Sequence, residues 1–173
     1  MYICITREES SDYAEVYELN TMAFNRENEA KLVDLLRFSD AFIPELSIVA
    51  KINNRVIGHI LLTKIRIQHS DNSTSESLAL APMAVHPDYQ NKGTGSKLII
   101  YSIEKASELN YKSIIVLGHE NYYPKFGFQP AYIWDIKPEF EVPKNAFMGI
   151  ELSESSLKNC AGTVIYPKEF SLV

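Results

Sequence analysis

The sequence is poor in the residues that would indicate a metal, disulfide or membrane protein. It has two cysteines in 173 residues. Cys4 and Cys160 match no metal-ligand spacing, so we expect two buried, free thiols and no metal. No apolar run approaches the ~20 residues that cross a bilayer, and the charged start of the chain lacks the apolar region of a signal peptide. These features predict a cytoplasmic protein with no membrane partner.

Positive charge is also in short supply. Lys and Arg number 17 against 22 Asp and Glu, which leaves a net charge of −5. This balance argues against a nucleic-acid partner, because no basic field is available to attract phosphates. Hydrophobic residues make up 46% of the chain and charged residues 23%, as is typical of globular proteins. We expect one domain over residues 1–173, long enough to bury a full core.

Hydrophobic periodicity in the first half of the chain predicts one strand, two helices and the start of a meander. The strand covers residues 2–6. A helix follows it, and a second helix covers 28–38 with one broad apolar face. From Leu46 the pattern changes to alternation. The pair Asn53-Asn54 divides the alternating run and predicts a tight hairpin, because asparagine tolerates positive φ.

The second half predicts a mixed sheet. Residues 69–77 are polar and predict a loop, 78–85 a third meander strand, and the residues after Gly95 an amphipathic helix. The continuous apolar run 113–118 is typical of a buried strand in parallel pairing. A short helical turn follows at 122–128. Three strand-like segments come after it, at 128–133, 146–152 and 162–167. Together these predict an α/β (α+β) fold with a mixed, mostly antiparallel central sheet and helices on both faces.

Glycine is scarce as well, yet two of the seven glycines, Gly93 and Gly95, lie one residue apart just before the predicted helix. Free N–H groups and the helix dipole at such a position can hold an anion. The letters do not match a Walker A loop, and Leu98 stands where a dinucleotide fingerprint needs its third glycine. On these residues alone, a turn that binds nothing remains an alternative.

The residues on either side of the two glycines favour an anion-binding loop over a turn that binds nothing. Residues 90–95 read Q-x-x-G-x-G, after a strand ending in MAVHP and before the helix. This arrangement closely resembles the coenzyme A pyrophosphate loop of the GNAT superfamily of acyltransferases. The resemblance covers residues 1–135 and includes a Tyr-x-x-x-Gly-Phe segment within YYPKFGF. The remaining tail resembles a bacterial subgroup of predicted N-acetyltransferases, mostly of unassigned substrate.

The resemblance implies that acetyl-CoA is the co-substrate and that the loop binds its diphosphate. Successive N–H groups in a glycine-rich turn form a concave nest for phosphate oxygens. The implied cofactor-binding residues are Gln90, Asn91, Lys92, Gly93, Thr94, Gly95 and Ser96. The Lys92 side chain either adds charge at the rim or is simply solvated.

A proline in the strand before the loop is the second implied feature of the cofactor site. Pro82 cannot donate a ladder hydrogen bond. In the family pattern, the strand here splays from its neighbour and leaves backbone groups of Met83, Ala84 and Val85 for the pantetheine arm, as in strand addition. The Met83 N–H is then implied to face the thioester carbonyl. We expect the side chains of Met83 and Ala84 themselves to be core.

Candidates for the general acid and the general base lie in or next to the predicted helical turn at 122–128. Tyr123 occupies the position of the family's frequent tyrosine general acid, although it could instead pack with Tyr122 as aromatic core. No carboxylate lies in 77–85 or 113–118, so His119 is the candidate base, or a structural residue of the turn. Glu120 and His59 are further candidates for the base.

One departure from the family pattern lies on the strand before Tyr123. Where the family often carries an asparagine seven residues before the tyrosine, this chain has Val116. Asn121, two residues before Tyr123, cannot be assumed to take that role. The identity of the residues that handle protons therefore stays open at this point.

The implied function is transfer of an acetyl group from acetyl-CoA to a primary amine by direct attack in a ternary complex. The acceptor would be a small-molecule or peptide amine, and the protein a monomer or homodimer. The missing strand carboxylate keeps a second function open, a non-catalytic acyl-CoA-binding or sensor module of the same fold.

Overall fold

A computed structural model describes residues 1–173, which fold into two compact units. Unit 1 consists of Met1–Thr63, Ala81–Lys105 and Lys168–Val173, and unit 2 of Lys64–Leu80 and Ala106–Pro167. The single domain expected over residues 1–173 stays a prediction. None of the helices is long and apolar enough to span a membrane.

The chain contains three α-helices and one nine-stranded sheet. The helices are α1 (Tyr13–Phe24), α2 (Asn28–Arg37) and α3 (Thr94–Glu108). The strands are β1 (Cys4–Arg7), β2 (Ser47–Ile52), β3 (Arg55–Gln68), β4 (Thr74–Val85), β5 (Ser113–Leu117), β6 (Gln129–Pro130), β7 (Ile136–Lys137), β8 (Phe147–Glu151) and β9 (Gly162–Ile165). The strand order is β1-β2-β3-β4-β5-β8-β6, and β9 pairs with β3 and β7. The predicted mixed, mostly antiparallel sheet is confirmed.

In unit 1 the predicted hairpin is present between β2 and β3. Asn53 and Asn54 have φ angles of 48° and 63°, and Ile52 pairs with Arg55 on either side of them. Two successive positive φ angles are the signature of a type I′ turn, whose twist matches that of paired strands. Asparagine makes the turn accessible because its short polar side chain tolerates this conformation.

Helices cover both faces of the unit 1 strands. On one face α1 and α2 bury Val16 and Leu36 against Val49 of β2 and Leu61 of β3. On the other face the first turn of α3 approaches Gly58 so closely that an added Cβ would lie 2.9 Å from the Leu98 side chain. Side chains alternate along a strand, so neighbouring positions of β3 face α1 and α2 on one side of the sheet and α3 on the other.

In unit 2 the strand β5 is the centre of the sheet. It pairs in parallel with β4 through Leu78–Ile114 and Ala79–Ile115, and antiparallel with β8 along its whole length. Residues 113–116 are buried, as the apolar run predicted. The core of this unit includes Ile115 and Phe147.

Two of the predicted strands have wrong boundaries. β4 begins at Thr74, inside the expected polar loop, because the His69 N–H donates to the Ser73 carbonyl at 2.8 Å and closes a hairpin. Cross-strand pairing here outweighs the low strand propensity of the sequence. The segment 128–133 is a strand only at β6. The chain then turns into the 3-10 helix Ala131–Trp134, because Pro130 cannot donate to a continuing ladder.

The predicted short helical turn after β5 is confirmed: it is a four-residue 3-10 helix, Tyr123–Phe126, ended by Gly127 at φ 102°. The expectation for the cysteines is only partly met. Both cysteines are free, but neither is fully buried: Cys4 is exposed and Cys160 half-buried. Cys4 is exposed because it lies in β1, at the edge of the sheet, where one side of the strand has no neighbour.

A buried polar network in unit 1 was not foreseen from the sequence. The Arg37 guanidinium at the end of α2 pairs with Glu8 at 2.5 Å, and both side chains are at most 4% exposed. The Ser47 hydroxyl donates to Glu8 at 2.7 Å and lies 3.0 Å from His59 Nε2. Paired, hydrogen-bonded charges of this kind connect α2 to β2 and β3, and breaking one partner leaves the other charge uncompensated.

The network defines the protonation of His59. Because the Ser47 hydroxyl proton goes to Glu8, the imidazole must donate its Nε2–H to Ser47, which leaves Nδ1 unprotonated and without a partner. The pKa of His59 is lowered to about 4, mainly by complete burial; the nearby Glu8 opposes this shift and Arg37 adds to it. His59 is therefore neutral at physiological pH.

We expect this histidine to make the protein sensitive to acid. The unfolded chain takes up a proton at His59 near pH 6.5, whereas the folded chain resists it down to about pH 4. Stability is therefore full above pH 6.5 and declines below it, by about 3 kcal/mol once the pH is under 4. His59→Gln cannot take up the proton, so its free energy of unfolding should decline less over this interval. Urea unfolding of both proteins between about pH 7 and 4 measures the difference. Parallel losses in the two proteins would contradict the assignment.

Candidate active site

The glycine loop has the backbone conformation that its sequence requires. Asn91 and Gly93 have φ angles of 59° and 85°. A Cβ added to Gly93 would meet nothing within 4 Å, so the backbone there is open to an approaching group. The positive φ, and not crowding by the protein, is the reason for glycine at this position.

Two side chains of the loop brace it against the preceding residues. The Gln90 side-chain amide donates to the Val85 carbonyl at 3.0 Å, and Lys92 Nζ donates to the Asp88 carbonyl at 2.8 Å. The carbonyl of Val85 thus has one of its two lone pairs engaged. Gln90 connects the loop to the end of β4, and Lys92 connects it to the turn before the loop.

The first turn of α3 follows directly. Its first helical hydrogen bond runs from the Lys97 N–H to the Gly93 carbonyl at 3.1 Å. The N–H groups of a first helical turn have no acceptor within the helix and carry the positive end of its dipole. Thr94 is 1% exposed and its hydroxyl has no hydrogen-bond partner. The loop therefore presents donors suited to an anion.

The end of β4, just before the glycine loop, is only partly buried in the core. Ala84 is 2% exposed and packs in the core of unit 1, as expected, whereas Met83 and Val85 are half-buried. The sequence expectation of a strand without a carboxylate needs correction, because β4 begins at Thr74 and so includes Glu76. That residue is exposed and lies seven positions from Met83, about 23 Å along the strand.

The pairing of β4 with β5 is short. It registers Leu78 with Ile114 and Ala79 with Ile115, and it does not continue to Leu80 and Val116. The ladder of these two strands in unit 2 therefore ends before Pro82 is reached. The family resemblance implied that the two strands splay here, and the end of the ladder agrees with that expectation.

The turn after β5 brings His119 and Tyr123 together in unit 2. The His119 carbonyl accepts from the N–H of Tyr122 at 3.0 Å and of Tyr123 at 3.4 Å. Its imidazole is exposed. The main chain of His119 thus organises the turn and its side chain is left accessible to solvent. Glu120 is exposed too, whereas His59 is fully buried and cannot reach a substrate.

Tyr123 is held in an aromatic cluster. The residue is 7% exposed, and its ring lies edge-on to Tyr122 and Phe128, with centroids 5.3 and 5.6 Å apart. Burial raises the pKa of its hydroxyl to about 12. Tyr123 therefore does pack with Tyr122, as in the alternative to a role as general acid that the sequence left open. A hydroxyl with this pKa is a hydrogen-bond donor and a poor source of a free proton.

Two glycines that the sequence motifs did not single out allow close packing around the loop and around Tyr123. Gly58 admits the first turn of α3, and Gly118 lies directly against the Tyr123 ring, whose Cδ2 would be 2.9 Å from an added Cβ. Isolated glycines inside or next to strand patterns often mark such close approaches. That signal was present at both positions.

Comparison with known proteins identifies the class. A family model described as "Acetyltransferase (GNAT) family" matches residues 13–128, more than half of the chain. The chain belongs to the GNAT acetyltransferase family. The uncharacterized N-acetyltransferase YjhQ of Escherichia coli (strain K12) is 37% identical over 123 residues, which cover 71% of this chain and 67% of the relative.

Solved structures show the same fold. The GNAT family N-acetyltransferase YhbS from Escherichia coli, crystallised in complex with CoA, superimposes with a TM-score of 0.90 at 25% identity, covering 98% of this chain and 92% of the relative. A GNAT family acetyltransferase from Brucella melitensis in complex with acetyl-CoA gives a TM-score of 0.79 at 26% identity over 98% of each chain.

The packing of Tyr123 on Gly118 yields a structural prediction. Gly118→Ala should displace the ring toward water, because a methyl group has no room beside it, and should return the tyrosine pKa toward its usual value near 10. NMR of ring-labelled tyrosine between about pH 8 and 11 measures this: the Tyr123 signal stays constant in the parent protein and titrates in the variant. Gly149→Ala, another crowded position in unit 2, is the control. An unchanged Tyr123 signal in Gly118→Ala would contradict the packing.

Proposed function

We propose that the protein transfers an acetyl group from acetyl-CoA to a primary amine by direct attack within a ternary complex. The observation that carries this proposal is the glycine loop with Gly93 at positive φ, leading directly into the first turn of α3. Membership of the GNAT family and the CoA and acetyl-CoA complexes of the two solved relatives support it.

The loop fits the diphosphate of coenzyme A. In the proposal, the N–H groups from Asn91 to Ser96 donate to phosphate oxygens, as successive amides of a nest do. The buried Thr94 hydroxyl, which lacks a partner in the protein, supplies one more donor. Gln90 contributes by holding the loop to Val85, and Lys92 supplies positive charge at the rim.

Residues of β4 serve the other end of the cofactor. The backbone of Met83, Ala84 and Val85 would pair with the amides of the pantetheine arm, in the manner of an added strand. The Met83 N–H would donate to the thioester carbonyl oxygen as negative charge develops on it. Donors of this type contribute about 3 kcal/mol to catalysis in comparable sites.

Tyr123 would act on the leaving group as a hydrogen-bond donor. As the amine nitrogen forms the new C–N bond, the C–S bond breaks and sulfur keeps the electron pair. The nitrogen then gives up its second proton to water as the amide forms. Full proton transfer from a hydroxyl with a pKa of about 12 to a thiolate with a conjugate-acid pKa of ~8.5 would cost about 5 kcal/mol. Stabilisation of the thiolate by the neutral hydroxyl avoids this cost.

His119 is the proposed base. An ammonium acceptor must lose a proton before it can attack, and imidazole titrates near neutral pH. The exposed imidazole can pass this proton to water. His119 lies in the same turn as Tyr123, whereas His59 is fully buried and cannot reach an acceptor.

A non-catalytic acyl-CoA-binding module of the same fold is the second candidate. The observation in its favour is that the only carboxylate on β4 or β5 is Glu76, at the far end of its strand. Release of free CoA from acetyl-CoA over a panel of amines separates the two functions. Binding without release for every amine class would favour the module.

The cofactor loop is tested by substitution at Gly93. Gly93→Val forces a β-branched residue to positive φ and should weaken CoA binding about 5- to 30-fold, because strain of about 1 to 2 kcal/mol shifts the nest. Gly93→Asn, which tolerates positive φ, should bind more tightly than Gly93→Val. Isothermal titration with CoA measures both. Asn159→Val places the same strain at a distant turn (φ 65°) and should bind CoA normally. Equal affinities in all four proteins would remove the loop assignment.

The role of Tyr123 is tested by Tyr123→Phe. Turnover of acetyl-CoA and an amine should fall about 100-fold, since the donor to the thiolate is lost, while the affinity for acetyl-CoA stays nearly constant. Because the raised pKa keeps the hydroxyl protonated, the parent enzyme should lose no activity up to about pH 10 through this residue. Tyr122→Phe, in the same turn, is the matched control. Unchanged turnover in Tyr123→Phe would exclude the residue from the mechanism.

A further inference from the structure

A hydrogen-bonded cluster of a serine, a histidine and a main-chain carbonyl lies in unit 2, and none of the roles assigned above uses it. His69 directly follows β3, Ser75 lies at the beginning of β4, and Ala161 directly precedes β9. Because β3 pairs with both β4 and β9, the histidine stands between the other two residues. We call these three residues the Ser75 cluster.

Two features of the backbone fix the histidine of the cluster in place. A Cβ added to Gly162 would lie 2.2 Å from the Gln68 carbonyl oxygen, so glycine is required where β9 approaches β3. This close approach accompanies a hydrogen bond of 2.8 Å between His69 Nδ1 and the Ala161 carbonyl. The main-chain N–H of His69 donates to the Ser73 carbonyl, also at 2.8 Å. The imidazole is therefore held between two neighbouring strands.

The hydrogen bonds determine where the protons of the cluster lie. A carbonyl only accepts, so His69 must donate its Nδ1–H to Ala161, and the neutral imidazole then has its lone pair on Nε2. Nε2 lies 2.7 Å from Ser75 Oγ, so the serine hydroxyl donates to it. A hydroxyl bound to a base that a third group orients is the arrangement of an activated nucleophile.

The cluster is accessible from a cavity. Ser75 and His69 are both half-buried, and His69 lines a mostly polar cavity of about 500 Å³, within the range of roughly 300 to 1,000 Å³ typical of small-molecule sites. A larger cavity of about 800 Å³ beside Phe147 shares Lys137 and Thr163 with it but has no wall from His69. A small molecule thus has room next to the imidazole of the cluster.

Two neighbouring serines have different hydrogen-bond partners. The exposed Ser73 donates to Asp71, and this bond lowers the pKa of the Asp71 carboxyl, which makes it a poor base. The Ser77 hydroxyl is buried and lies 2.7 Å from the hydroxyl of Ser113, which is no base at neutral pH. Of these three serines of the hairpin and β4, only Ser75 has an imidazole as its partner.

We propose that Ser75 is an acyl-accepting serine, which takes the acyl group of a small activated ester with His69 as the base. This inference goes beyond the proposed function and does not depend on it. The Ser75 oxygen forms a bond to the carbonyl carbon of the ester, and its proton passes to His69 Nε2. The bond from that carbon to the leaving oxygen then breaks, and the leaving alcohol takes the proton from Nε2. The products are an acyl-serine and a free alcohol.

The carbonyl of Ala161 has a defined part in this step. While Nε2 holds the serine proton, the imidazole is positively charged, and the carbonyl oxygen that accepts from Nδ1–H stabilises this charge. The same hydrogen bond keeps Nε2 directed at the Ser75 oxygen, so the base needs no reorientation between taking the proton and giving it up.

The first experiment requires no substitution. The full chain is incubated with p-nitrophenyl acetate, and peptide mapping by mass spectrometry follows the acetyl group at each serine over time. Ser75 should be acetylated at least about 100-fold faster than Ser73, because a positioned general base contributes at least this factor. Equal rates at the two serines, or no acetyl group on Ser75, would overturn the proposal.

A second experiment tests the base. His69→Gln keeps an amide that can donate to the Ala161 carbonyl but removes the basic nitrogen, so acetylation of Ser75 should fall about 100-fold. His86→Gln, which removes a histidine outside the cluster, is the matched control and should react like the parent protein. Unchanged circular dichroism of His69→Gln shows that it is folded. An unchanged rate at Ser75 in folded His69→Gln would overturn the role of the histidine.

The thiol of Cys160 calls for a separate control. It donates to the Ser156 carbonyl at 3.3 Å, and its sulfur lies 3.8 Å from Ser75 Oγ, so a reactive thiol is close to the serine. Cys160→Ala should leave the acetylation rate of Ser75 unchanged. Loss of the acetyl group from Ser75 in this variant would show that sulfur accepts it first, and would overturn the serine as the primary acceptor.

Discussion

The contact of α3 with β3 at Gly58 determines the position of the glycine loop. The first turn of the helix, through Thr94 and Leu98, approaches the strand more closely than any side chain at position 58 would permit. Both residues are buried, so the start of the helix is fixed on the sheet. The orientation of its N–H groups, and of the loop at Gly93, follows from this packing. Rigid donors cost no reorganisation when an anion binds.

Burial gives similar side chains different chemistry in this protein. His59 is enclosed with Glu8 and Arg37 and has a pKa of about 4, so it serves the packing of α2. His119 is exposed, so in the proposed function its imidazole is accessible to an acceptor. The Tyr123 hydroxyl, with a pKa raised to about 12, is better suited to donating a hydrogen bond than to giving up a proton. Desolvation disfavours the charged form in both buried cases.

The two substrates in the proposed reaction call for different kinds of structure. A diphosphate is the same in every acyl-CoA, and backbone donors at a helix start suffice to bind it. An acceptor amine varies, and its recognition requires side chains of particular size and charge.

Local sequence signals determined the meander, its hairpin, the parallel strand β5 and the glycine loop, because each depends on residues within a few positions of one another. The same spacing placed Tyr123 beside His119. Only the tertiary structure decided the environment of His59, the packing of Tyr123 on Gly118 and the cavity beside Phe147. These depend on contacts between residues distant in the chain, and periodicity carries no information about which distant side chains meet or how much water they exclude.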